Sequence, residues 1–139
     1  MVKKILIVDD EPEILEILGE GFEDKGWQIA SALNGKLALK NIAEFHPDVI
    51  LSDVSMPEMD GMELLAELAK TDSEIPLIFL TGFGDLEKIK TAWRLGAFDL
   101  LDKPCKFEKV LQVAESALAH GVEYVRTARN RSRKYRPSE

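Results

Sequence analysis

Pro47-Asp48-Val49-Ile50-Leu51-Ser52-Asp53-Val54-Ser55-Met56-Pro57-Glu58-Met59-Asp60-Gly61 is the run that decides the fold. Val49 to Ser52 is an apolar stretch long enough for a buried strand and too short for a helix. The turn residues after it end it abruptly. Open α/β sheets bind their ligands at the carboxyl ends of their strands, so Asp53, placed there, is the first candidate for chemistry.

The chain on either side repeats the pattern. Ile5 to Val8 is a run of Ile, Leu and Val bounded by charges, as a strand buried on both faces should be. After it, Pro12 suits a first helical turn, and Ile14, Leu15, Ile17, Leu18 and Phe22 mark an apolar stripe that Gly26 closes. Trp27 to Ala32 is a second strand. Asn34-Gly35 then opens a helix with Leu37, Ala38, Ile42 and Phe45 inward, ended by His46-Pro47. Asp60 and Glu63 have the spacing of a capping box, opening a helix with Met62, Leu64, Leu65 and Leu68. Met56, Met59 and Met62 read as loop anchors and core.

Ile75 to Leu80 is a fourth strand with Pro76 confined to its start. Thr81-Gly82-Phe83-Gly84-Asp85 turns into a helix carrying Ile89, Trp93 and Leu95, and Phe98 to Leu101 is a short fifth strand. The last helix shows Phe107, Val110, Leu111, Ala114, Ala117, Leu118, Gly121, Val122 and Val125 at a period near 3.5, longer than one sheet needs. Residues 129 to 137 read as frayed and solvated. Five strands alternating with five helices predict a doubly wound parallel sheet in the order 2-1-3-4-5, with strands 1 and 3 adjacent at the switch point.

At 139 residues the chain fits one core. Its net charge of -7 is uneven. Residues 1 to 120 hold 12 Lys and Arg against 23 Asp and Glu, whereas residues 121 to 139 hold 6 against 2. The body repels nucleic acid and only the tail attracts it. One cysteine, Cys105, excludes an internal disulfide and reads as a small buried hydrophobe. The N-terminal apolar run is too short for a signal peptide, and no segment approaches the roughly 20 apolar residues of a membrane span. The reading is a cytoplasmic protein with no membrane partner.

In that topology Asp9, Asp10, Asp53, Thr81 and Lys103 emerge on one edge. Carboxylates held together repel, so either a pKa rises or a hard cation is bound, and Mg2+ suits one or two carboxylates plus water and phosphate oxygens. A carboxylate is also a possible nucleophile toward a phosphoryl group, giving an aspartyl phosphate. That reaction needs positioning and charge neutralisation, for which Lys103 offers a compact cation and Thr81 a hydroxyl.

Asp9-Asp10, Asp53 followed by Met56-Pro57 and Asp60-Gly61, Leu80-Thr81-Gly82, Gly96-Ala97 and Lys103-Pro104 together resemble the receiver domain of two-component response regulators. The resemblance covers about residues 3 to 120. It implies that Asp53 accepts phosphate from a histidine kinase, or from a phosphotransfer protein. It also implies that Asp9, Asp10, Asp53 and the backbone carbonyl of Ser55 hold Mg2+, with Thr81 and Lys103 on the phosphoryl oxygens and a cis bond before Pro104. On this resemblance residues 1 to 120 are the receiver and 121 to 139 a basic extension. The protein is then a switch that catalyses only its own phosphorylation and dephosphorylation. Receivers usually carry Tyr or Phe where this chain has Leu100, and Phe where it has Cys105.

The leading expectation is a phosphorylation-dependent switch that alters binding of a downstream protein. Two others compete. One is the regulatory half of a DNA-binding transcription factor, although the acidic body argues against direct DNA binding. The other is a constitutive protein-protein adaptor whose switch is weakened by Leu100. The stripe past Leu118 adds a homodimer through the last helix, or an absent domain.

Overall fold

The computed structural model describes residues 2–82 and 86–134. In chain order the elements are β1 (Lys3–Val8), α1 (Pro12–Asp24), β2 (Trp27–Ala32), α2 (Gly35–Phe45), β3 (Val49–Asp53), α3 (Gly61–Lys70), β4 (Leu77–Thr81), α4 (Leu86–Arg94), β5 (Asp99–Asp102) and α5 (Phe107–Lys134). The strands form one parallel sheet in the order β2-β1-β3-β4-β5, as the alternation predicts. Phe83, Gly84 and Asp85 of the expected β4–α4 turn lie outside the described residues.

Apolar strands at the centre of a parallel sheet are covered on both faces, and the core divides accordingly. One cluster joins Ile5, Ile7, Leu51, Ile78 and Leu80 to α1 and α5. The other joins Leu6, Val8, Ile50, Leu77 and Phe79 to α2, α3 and α4. Phe22 of α1 fills the gap between helix and sheet, with its ring edge-on to Trp27 at 5.4 Å and to Phe107 at 5.1 Å.

Strand limits move by one or two residues. Pro76 has no N–H to give a ladder, so β4 begins at Leu77, while the Pro76 carbonyl still accepts from Ile50 N at 2.9 Å. Helix signals hold at α2, where the Asn34 side chain accepts from Leu37 N at 2.9 Å. At α3 both halves of the Asp60–Glu63 capping box are made, at 2.9 and 3.2 Å.

Several stripe assignments are corrected. Ile17 is 65% exposed, because Leu15, Leu18 and Phe22 share the face turned to the sheet and Ile17 lies half a turn away. Leu37 is likewise exposed, and Leu39 packs inward in its place. Trp93 and Val122 are also exposed, and Cys105 is only partly buried.

The largest difference lies at the carboxyl end. Instead of fraying from Arg129, α5 continues to Lys134, and Arg129 is only 8% exposed. Its Nε donates to the Leu95 carbonyl at 3.1 Å and its Nη1 to the Ser73 carbonyl. Gly121 leaves room for the Pro76 ring, which a Cβ there would meet at 2.5 Å, and Val125 is buried. Arg126 grips both carboxylate oxygens of Glu74, at 2.6 and 2.9 Å. The inner stripe of the extension is therefore occupied by the chain's own body, which leaves Val122 and Tyr124 exposed on this helix beyond Leu118. Positions 135–137 lie outside the described residues.

Candidate functional site

Parallel strands deliver their carboxyl ends to one edge, and the register fixes what meets there. Val8 pairs with Ser52 and Asp53 with Leu80, so Asp9, Asp53 and Thr81 follow one another across the sheet. Thr81 pairs with Asp102, the last residue of β5, which places Lys103 immediately past the strand end. The Lys103–Pro104 bond is cis. Asp9 is buried, its Oδ1 accepting from Glu11 N at 2.9 Å, while Asp10 beside it is exposed. Ser55 lies two residues past Asp53 in the β3–α3 loop.

Gly61 sets how close that loop approaches. A Cβ at this position would collide with the Asp53 carbonyl and meet the Phe79 ring at 2.7 Å. Gly61 N instead donates to the Val54 carbonyl at 2.9 Å, drawing the start of α3 against the end of β3. Glu58, at φ 65°, accepts from Asn34 Nδ2 at 3.2 Å and ties the loop to the start of α2. Lys88 of α4 reaches Asp60 at 3.9 Å.

One carboxylate oxygen from each of Asp9, Asp10 and Asp53 lies within 4.8 Å of the others. Lys103 Nζ faces them, 3.1 Å from Asp53 Oδ2 and 3.4 Å from Asp9 Oδ2. Burial pushes the Asp53 and Asp9 carboxyls above their ordinary value, and Lys103 only partly offsets this. For Lys103, burial pulls the ammonium pKa down, but the Asp53 and Asp9 carboxylates more than reverse that and hold it above its usual value. Three carboxylates against one ammonium leave a surplus of negative charge in a half-sheltered place. Hard oxygen donors with such a surplus fit Mg2+.

Thr81 faces elsewhere. Its hydroxyl is within hydrogen-bond distance of Asp102 Oδ1 at 3.3 Å and the Leu101 carbonyl at 3.5 Å, both on β5. Leu100 is partly buried among the apolar residues on the α2–α4 side. Asp102 is the site residue that the motif reading passes over, and its signal is its place immediately before Lys103. Glu58 and Lys88 are passed over as well, because charged surface residues at such positions carry no motif, and Asn34 is read only as a helix start although it is buried and bonded to Glu58.

This doubly wound fold, with acidic residues gathered at one strand edge, is also the fold of the chain's relatives. The family profile of the response regulator receiver domain matches residues 5–115, and the chain belongs to this family of two-component signalling domains, in which phosphorylation on an aspartate is typical. It is 38% identical over 117 residues to the regulatory protein AtoC of Escherichia coli strain K12, covering 84% of this chain and 25% of that one. It is 36% identical over 118 residues to the sporulation initiation phosphotransferase F of Bacillus subtilis strain 168, covering 85% and 95%. The chain thus spans about a quarter of the first of these relatives and nearly all of the second. Among solved structures, a CheY-like receiver domain protein from Methanospirillum hungatei JF-1 superposes with a TM-score of 0.82 at 28% identity, over 88% of this chain and 98% of that one. Among the described residues, no helix is long and apolar enough to cross a membrane.

Proposed function

We propose that this chain is a phosphorylation-dependent signalling switch that takes a phosphoryl group on Asp53 from a histidine kinase or a phosphotransfer protein. The convergence of Asp9, Asp10 and Asp53 within 4.8 Å, with Lys103 Nζ 3.1 Å from Asp53, carries the reading. Asp9, Asp10 and Asp53, with the Ser55 carbonyl, would hold Mg2+, which supplies charge neutralisation to the phosphoryl oxygens when bound. An Asp53 carboxylate oxygen forms the new O–P bond as the N–P bond of a phosphohistidine breaks. The electron pair leaves with the imidazole nitrogen, which then takes up a proton. Lys103, already oriented by two carboxylates, pairs with a phosphoryl oxygen, and the Thr81 hydroxyl donates to another.

The product adds about -1.5 to -2 charge at neutral pH, which Lys103 and Thr81 must rearrange to meet. That rearrangement biases the surface read by a downstream protein in the cytoplasm. The chain turns over no substrate besides its own aspartyl phosphate. Incubation with acetyl phosphate and Mg2+ should add one acid-labile phosphate, seen by intact mass in wild type and absent in Asp53→Asn. An unmodified wild-type mass would refute the proposal.

A second reading, the regulatory half of a transcription factor, is favoured by relatives such as AtoC that extend well beyond the matched region. Direct DNA binding by the tail is disfavoured by the acidic body, and two of the tail's six basic residues, Arg126 and Arg129, are committed to Glu74, Leu95 and Ser73.

A further inference from the structure

We propose that Asp102 is a positioning residue for the switch, holding the Thr81 hydroxyl on β5 until a phosphoryl group on Asp53 draws it away. This rests on the phosphoacceptor reading of Asp53 given above. Thr81 is 5% exposed, and its hydroxyl has a single proton to give. That proton has two acceptors within reach, Asp102 Oδ1 at 3.3 Å and the Leu101 carbonyl at 3.5 Å, and both belong to β5. While it is spent there it is unavailable to a phosphoryl oxygen at the end of β3.

The backbone holds the arrangement in register. Thr81 pairs directly with Asp102, and Lys103 N donates to the Thr81 carbonyl at 2.8 Å. The Thr81 side chain can therefore rotate without disturbing the ladder. Asp102 is itself exposed, so its carboxylate is rehydrated as soon as the hydroxyl leaves. At 3.3 Å the bond lies beyond the usual range for hydroxyl donors, which suits a contact that is broken and remade in each cycle. Leu100, two residues earlier, presents neither ring nor hydroxyl to the switch, and the Asp102 carboxylate is the polar side chain that β5 offers to Thr81.

The test uses the full chain and beryllofluoride, a non-covalent mimic of an aspartyl phosphate, titrated calorimetrically with Mg2+ present. Binding by wild type and loss of binding in Asp53→Asn establish the underlying reading, and no binding by wild type would overturn that reading rather than this one. Asp102→Ala leaves the hydroxyl only the longer contact to the Leu101 carbonyl and should tighten beryllofluoride by about two- to tenfold, the range expected for one released hydrogen bond. Asp102→Asn keeps an acceptor oxygen without the charge and should return affinity to near the wild-type value. In a Thr81→Ala background the Asp102→Ala gain should vanish, since its route is gone. The proposal is overturned if Asp102→Ala binds like wild type, if Asp102→Asn binds like Asp102→Ala, or if the gain persists without the Thr81 hydroxyl.

Discussion

Replacing Asp53 by Asn should stabilise the metal-free protein. The Lys103 ammonium, 3.1 Å from Asp53 Oδ2, attracts it by about 5 kcal/mol at an effective dielectric constant near 20. The Asp9 carboxylate, within 4.8 Å, repels it by about 3.5 kcal/mol or more on the same scale, and Asp10 adds a smaller, water-screened repulsion. These contributions nearly cancel, so the burial of the charge decides the sign, and burial raises the Asp53 pKa. Asn keeps the acceptor oxygen for Lys103 and discards the buried charge. The expected gain in chelator is on the order of 1 kcal/mol, or about 4 °C in Tm for a chain of this length.

A carboxyl whose native pKa is raised penalises the fold above that value and is relieved below the ordinary 3.8, so the gap should narrow as pH is lowered through the raised value. Mg2+ at ten times its Kd should return about 1.4 kcal/mol to wild type and less to the variant. Thermal melts of both proteins in chelator and in Mg2+, at neutral and mildly acidic pH, read all of this. Equal melting of the two proteins in both media would refute the shared-charge argument, as would a less stable Asn variant in chelator.

Arg129→Ala should cost about 2–4 kcal/mol in urea unfolding, because it removes a buried guanidinium and strands the part-buried Leu95 and Ser73 carbonyls. Arg129→Lys should recover little of this, since an ammonium cannot span two carbonyls as a fork does, and a loss below about 0.5 kcal/mol would count against the clamp. Gly61→Ala should destabilise by about 1–3 kcal/mol, because the new methyl must push the Asp53 carbonyl or the Phe79 ring aside. It should also slow phosphate uptake at Asp53, and a variant as stable as wild type would show that the loop has more room than its geometry implies.

The strands and the sheet order were legible because the middle strands are continuous apolar runs flanked by turn chemistry, and the topology of such units has few solutions. The edge residues were legible as a set, since Asp9, Asp10, Asp53, Thr81 and Lys103 each end or follow a strand. Helix faces were read less well. Ile17 and Leu37 are apolar but lie off the inward arc, and composition alone does not distinguish a stripe residue from its neighbour. Asp102 was passed over because its role depends on strand register, which brings it opposite Thr81 across 21 residues of chain. The run after Arg129 looked solvated because it is basic, yet Arg129 is buried by fitting its planar head onto carbonyls from two separate turns.

The family profile stops at residue 115, but the side chain that closes the underside of this sheet stands fourteen positions later. Anyone grafting this receiver onto a foreign output module would need to carry the helix through Arg129. A cut at the profile's edge would bare the Pro76 ring and leave the last carbonyl before Gly96 without its guanidinium. A cargo fused beyond that arginine would, by contrast, follow a helix already hydrogen-bonded to the turn after α4.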